Sequence, residues 1–177
     1  HDSNPIKMGI GKIKARGAKV VGINPIRTGY NAVADDWYGI TPGTDGLLIL
    51  SLIHLLFKAG KLDLTYLARF TNAACLVNED PKSPQHGLLL RDEDGKPLVI
   101  DRTTGKPAPW DAQGIEPDLA TTWRHKGVTH RPVLHLMADR YLSEDYAPEK
   151  VAIRTGIPAT RIRQLASEIA RTAFDEA

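Results

Sequence analysis

The stretch Arg16-Gly17-Ala18-Lys19-Val20-Val21-Gly22-Ile23-Asn24-Pro25-Ile26-Arg27-Thr28 joins a glycine stop, a short apolar run and a polar bend carrying a proline. The run from Ala18 to Ile23, with its two valines, reads as a strand buried on both faces of a parallel sheet. Just upstream, between Pro5 and Arg16, Ile6, Ile10 and Ile13 fall at helical spacing while Lys7, Lys12 and Lys14 lie elsewhere on the wheel. That is an amphipathic helix, and Gly17 ends it. Helix, glycine and buried strand make half of a βαβ unit, whose other strand is expected before His1.

Downstream, Asn24 to Thr28 leaves the strand as an irregular loop, Tyr30 to Ala34 reads as a brief helix, and Trp37 to Ile40 as a second extended segment. In Thr41-Pro42-Gly43-Thr44-Asp45, Pro42 and Gly43 make a turn, and Thr44 or Asp45 caps a helix running through Leu47, Leu48, Leu52 and Leu56 to Gly60. Asp63 to Phe70 is a further short helix. From about Asn78 to His130 prolines and glycines dominate, and the Asp94-Gly95 turn joins Leu88–Leu90 to Pro97–Ile100 as a β-hairpin. Helices return at Val133 to Leu142 and at Pro148 to Thr155, the latter ended by Gly156. A last helix has Pro158 or Ala159 in its first turn and an apolar stripe at Ile162, Leu165, Ile169 and Ala173. The expected organisation is an α/β segment over residues 1–77, a loop-rich insertion over 78–130 and a helical segment over 131–177.

With 177 residues and 42% hydrophobic content the chain can bury a real core, which excludes a disordered chain. The 23 basic and 21 acidic residues nearly cancel, so charge gives no reason to expect nucleic acid or an anionic membrane as partner. The apolar run Leu47 to Phe57 is far short of the roughly 20 residues that cross a bilayer, so no membrane insertion is expected of this segment. Cys75 is alone; it forms no internal disulfide, cannot by itself hold zinc or an iron-sulfur cluster, and reads as an inert thiol. His1 begins without methionine and Ala177 ends a helical pattern with no glycine or proline stop, so the natural chain is expected to extend both ways.

The chemistry is expected at two loops on the carboxyl ends of the parallel strands, Asn24 to Thr28 and Pro42 to Asp45, where open α/β sheets bind ligands. Guanine presents an N–H and an amino group on one edge, which the Asp45 carboxylate can accept together, while Gly43 lets the backbone come close. Arg27 then meets a phosphate or stacks on the base. Each loop taken singly is equally a capping turn. One competing pattern lies at residues 147–173, where Ala152, Gly156 and Ile162 sit at helix-turn-helix spacing with Arg154, Arg161, Arg163 and Arg171 for phosphates. Pro158 at the start of the would-be recognition helix, and Asp145, Glu149 and Glu168 beside it, weigh against DNA. A nicotinamide fingerprint is poorly met, because Gly9-Ile10-Gly11 lies inside a helix pattern and lacks the third glycine. The pairs Asp35-Asp36 and Glu93-Asp94 read as solvated charge or turn residues.

The opening stretch, followed by Ala34-Asp35-Asp36-Trp37 and Pro42-Gly43-Thr44-Asp45-Gly46-Leu47-Leu48, resembles the third domain of the dimethyl sulfoxide reductase family of molybdopterin oxidoreductases. Weaker likeness continues through Asp63 to Thr71 and through Tyr146 to Ala170. The resemblance implies a Rossmann-like fold in which Ile23, Asn24, Pro25 and Arg27 form one wall of a guanosine site and Gly43, Thr44 and Asp45 the other. It implies a molybdopterin guanine dinucleotide with molybdenum in the parent enzyme, an iron-sulfur cluster upstream, and no catalytic residue or metal ligand in this segment, which alone is expected to be inactive. The partners it implies are the remaining domains of the same enzyme and an electron-transfer subunit; the compartment, cytoplasmic or periplasmic, stays open. One departure is Asn24, where many members carry aspartate; an amide oxygen accepts fewer hydrogen bonds from guanine than a carboxylate, although ribose contact remains open.

Overall fold

The computed structural model describes residues 4–175. In chain order it holds α1 (Asn4–Ala15), β1 (Val21–Ile23), a short 3-10 turn (Gly29–Val33), β2 (Asp36–Tyr38), α2 (Asp45–Lys58) and α3 (Leu64–Phe70). Five short strands follow, β3 (Leu98–Asp101), β4 (Pro107–Pro109), β5 (Pro117–Asp118), β6 (Trp123–His125) and β7 (Val128–His130), then α4 (Val133–Tyr141), α5 (Pro148–Thr155) and α6 (Ala159–Ala170). The chain is mixed α/β, with a parallel pair, antiparallel strands and a helical carboxyl part. It divides into two compact units, residues 1–59 with 143–177, and residues 60–142.

In the first unit β1 and β2 pair in parallel, with Val21 opposite Asp36 and Ile23 opposite Tyr38. Helices α2, α5 and α6 enclose one core of Tyr38, Ile40, Leu48, Leu52, Val151, Ile157, Ile162, Leu165 and Ala166. Each large aliphatic buried there contributes roughly 1.5–3 kcal/mol of transfer free energy, which is what holds so small a sheet in place. The apolar run of α2 is one-sided: Leu48 and Leu52 are buried, whereas Ile49 is 51% exposed. Gly156 closes α5 at φ 75°, the left-handed position glycine occupies without strain. Strand β1 is not buried on both faces as its composition suggests, because Ile23 is 37% exposed. The stripe expected on the last helix is likewise half realised; Ile162 and Leu165 are buried in α6, but Ile169 is 38% exposed, and Ala173, past the end of α6 in a π turn (Arg171–Asp175), is exposed.

The second unit is built from hairpins. Strand β3 lies between β4 and β5, and β6 pairs with β7, all antiparallel. The expected 88–100 hairpin turns at Gly95 (φ 79°), with the Asp92 N–H donating to Lys96 and the Leu98 N–H to Leu90. Residues 73–77 belong to this unit because they bridge into it: Cys75 to Val99, Leu76 to Pro132 and Val77 to Leu89. The change in sequence texture at 77/78 therefore falls inside a packed unit, whose limits are at 59/60 and 142/143. Arg131 grips Glu79 through its guanidinium at 2.8–3.1 Å and reaches Asp139 at 2.6 Å, which keeps the Glu79 carboxyl below its ordinary range.

Candidate functional site

Because β1 and β2 are parallel and adjacent, their following loops leave the same, carboxyl end of the sheet from neighbouring strands, about 4.8 Å apart. The Asn24 N–H extends the pairing by donating to the Tyr38 carbonyl at 3.2 Å. Segments 24–28 and 39–45 therefore start side by side.

The first loop is held by its own polar groups. Asn24 Oδ1 accepts the Ile26 N–H at 3.2 Å, a local turn that asparagine makes readily, and the indole Nε1 of Trp37 donates to the Asn24 carbonyl at 3.1 Å. The indole can lie there because residue 39 is glycine: a Cβ at Gly39 would come within 2.8 Å of Trp37 Cη2. Pro25, Ile26 and Arg27 face solvent.

The second loop is held from behind. The Thr41 N–H donates to the Thr155 carbonyl at 2.9 Å, and the Thr44 hydroxyl donates to the Thr41 carbonyl at 2.7 Å. Thr44 occupies the N-cap of α2, yet its side chain makes no capping bond. Gly43 sits at φ 79° with open space where a Cβ would be. Asp45 is exposed, and among the described residues its carboxylate has no hydrogen bond or ion pair; it neither caps α2 nor folds back onto it. Of the seven residues the sequence nominated, Ile23 ends β1 and Asn24, Pro25 and Arg27 follow it, while Gly43 and Thr44 lead into α2 and Asp45 is its first residue. Both groups belong to the same unit.

Sequence reasoning missed that the groups bracing these loops act within the fold. Asp36 is not a solvated surface charge: it takes Arg161 at 2.6 Å, and this hydrogen-bonded guanidinium lowers its pKa despite partial burial. Arg161 also donates to the Trp37 carbonyl at 3.2 Å and lies 4.2 Å over the Tyr38 ring. Asp35 pairs with Lys14 at 2.7 Å and accepts the Val20 N–H at 2.8 Å, and both lower its pKa, Lys14 most. Partners 125 residues apart, such as Arg161 and Asp36, leave no periodic trace in sequence. For Trp37 the available signal was an aromatic two residues before a glycine.

The same contacts weigh against the helix-turn-helix reading, because two of its phosphate-facing arginines are engaged within the fold: Arg161 is committed to β2, and Arg163 pairs with Glu149 at 2.6 Å. Ile162, fully buried, joins the core. The α5–α6 corner therefore buttresses the sheet. Elsewhere, burial pushes the Cys75 thiol up from its ordinary pKa. Among the described residues no three His, Cys, Asp or Glu side chains gather to hold a metal ion, and no helix is long and apolar enough to cross a membrane.

No family model matches the chain. It is similar to a sulfite dehydrogenase subunit of Allochromatium vinosum, at 40% identity over 99% of this chain and 19% of that protein. It is also similar to the alpha chain of the perchlorate reductase of Dechloromonas aromatica, at 28% identity over 91% of this chain and 21% of the relative. The major subunit of the formate dehydrogenase of Haemophilus influenzae is 28% identical over 90% of this chain and 14% of its own length. The chain thus spans about a fifth or less of the proteins it matches.

Proposed function

Since the chain belongs to the molybdopterin oxidoreductases, we propose that it is the part of such an enzyme that holds the guanosine end of a molybdopterin guanine dinucleotide. The observation that carries this reading is the pairing of two loops at the carboxyl end of one parallel strand pair, one of them ending in an exposed carboxylate with no partner of its own among the described residues.

The residues present fit a guanine nucleotide. Asp45 accepts the ring N–H and the amino group of guanine in two charge-assisted hydrogen bonds, and Gly43 leaves room for the base. The Asn24 side-chain oxygen accepts from Ile26 and its carbonyl from Trp37, while its amide NH2 makes no bond among the described hydrogen bonds. A donor suits a ribose hydroxyl, which answers the departure from aspartate at this position. Arg27, long and exposed, meets a phosphate or covers the base. Ile23 and Pro25 supply apolar wall, and Thr44 fixes the bend at Thr41.

When bound, the molybdenum and its dithiolene ligands supply the redox chemistry, and an iron-sulfur cluster elsewhere in the parent carries electrons. This segment binds and orients; it holds no catalytic residue and alone turns nothing over. Its partners are the other domains of the parent enzyme and an electron-transfer subunit.

The test is Asp45→Asn in the full-length enzyme, read as guanine nucleotide and molybdenum retained after purification. The amide presents a donor to a donor edge, so retention under dialysis falls about 10- to 100-fold in affinity, the worth of hydrogen bonds to a charged group. Undiminished retention of both would overturn the assignment.

A further inference from the structure

The second unit holds a hollow that the nucleotide site does not include. A pocket of about 560 Å³ lies between the end of α3 and β3, and every residue lining it falls between 68 and 117, inside that unit. Small-molecule sites run from roughly 300 to 1,000 Å³. Buried Ala74, Cys75 and Val99 form the base, and Phe70 and Trp110, 72% and 54% exposed, form an apolar mouth.

Backbone bonds fix this shape. Cys75 bridges to Val99 across the base, and the Trp110 N–H donates to the Pro97 carbonyl at 3.0 Å. The Thr71 hydroxyl donates to the Leu67 carbonyl at 2.6 Å and accepts the Ala73 N–H at 3.1 Å, which sets the end of α3. The Phe70 ring leans on Tyr66, their centroids 5.2 Å apart. Two large aromatic rings left more than half exposed around one hollow mark a place for an apolar ligand.

The polar lining is of one kind. Arg69 and Asn72, three residues apart, border the same pocket, and among the described residues neither side chain has a hydrogen bond or an ion pair. None of the described lining residues carries a carboxylate. Arg91 stands close enough for its charge to oppose the rise that burial gives the Cys75 thiol. A guanidinium fork matches a carboxylate, and the Asn72 amide supplies a further donor. A peptide backbone is less well served, because the outer strands β4 and β5 carry Pro107, Pro109 and Pro117, which have no N–H to offer an added strand. We propose that this pocket binds a small monocarboxylate with an aromatic or branched apolar body, the body over Cys75 and Val99 and the carboxylate on Arg69. The guanosine site is not involved, since its residues all belong to the other unit.

Saturation-transfer nuclear magnetic resonance on the full-length enzyme, with 3-phenylpropionate and its neutral counterpart 3-phenylpropanol as probes, tests the site. The acid should bind about 10-fold more tightly than the alcohol, the worth of a hydrogen bond to a charged group. Arg69→Gln should bring the two affinities together, and Trp110→Ala should weaken both about 10-fold through lost apolar contact. Both side chains are exposed, so neither substitution empties the core. Equal affinities in the parent enzyme, a preference for the acid that survives Arg69→Gln, or affinities unmoved by Trp110→Ala would overturn the proposal. So would displacement of the acid by guanosine monophosphate, or no binding of either probe at about 10 mM.

Discussion

The loops after β1 and β2 start as neighbours and use their polar groups in opposite ways. The first is self-supporting: Asn24 folds onto Ile26, and Trp37 pins the Asn24 carbonyl. In the second, Thr41 and Thr44 fasten the bend to α5 and to itself, and among the described residues nothing engages Asp45 at the tip. A polar side chain bonded within its own loop fixes shape, and one held out without a partner is free to recognise something else. On the proposed reading, the Asn24 side-chain oxygen shapes its loop and Asp45 is the group that recognises the base.

Four substitutions probe this contrast. Ile162→Ala empties the fully buried position beneath the sheet and should cost about 3 kcal/mol in denaturant unfolding, loosening both loops together. A loss confined to one loop would mean that α6 is not their shared support. Gly39→Ala drives a methyl into the Trp37 ring, with an expected cost of about 1–2 kcal/mol. Amide exchange should then quicken at Ile26 and stay unchanged at Thr41; equal quickening would show that the loops are not held independently.

Asp36→Asn tests the clamp through pH. The folded-state pKa of Asp36 is lowered, chiefly by Arg161, so its stabilisation is full above the unfolded value of about 3.9 and is lost as pH falls through the folded value. The substitution should lower neutral-pH stability by about 1 kcal/mol, given partial exposure of the pair, and flatten the decline below about pH 4. An unchanged acid limb would remove Asp36 from the clamp. The smallest effect is expected of Asp45→Asn, whose unfolding free energy should stay within about 0.5 kcal/mol of the parent, since no described residue bonds to its side chain. A larger loss would place Asp45 among the structural residues and erase the contrast.

Much of this architecture is legible in sequence because it is local. Gly17, Pro42-Gly43 and Gly156 punctuate runs whose period is plain, and α1, β1, β2, α2, α5 and α6 follow from them. What sequence could not show is pairing across distance. Asp36 and Arg161 looked like a surface carboxylate and a phosphate-seeking arginine until the fold brought them to 2.6 Å. Burial was overread at Ile23, Ile169 and Ala173 for a related reason: apolar spacing marks a face that can be covered, and cover depends on a neighbour. For the two loops, the residue types were visible, but the distinction between Asn24 and Asp45 depends on which hydrogen bonds are already made.

Nuclear magnetic resonance mapping of the 177-residue chain during titration with guanosine monophosphate, with adenosine monophosphate in parallel, addresses the shared-ligand reading in one experiment. Amide shifts should move in both segments, 23–28 and 43–45, with guanosine monophosphate and remain still with the adenine analogue, even if binding is only millimolar. Movement in one segment alone, or an equal response to both nucleotides, would contradict it.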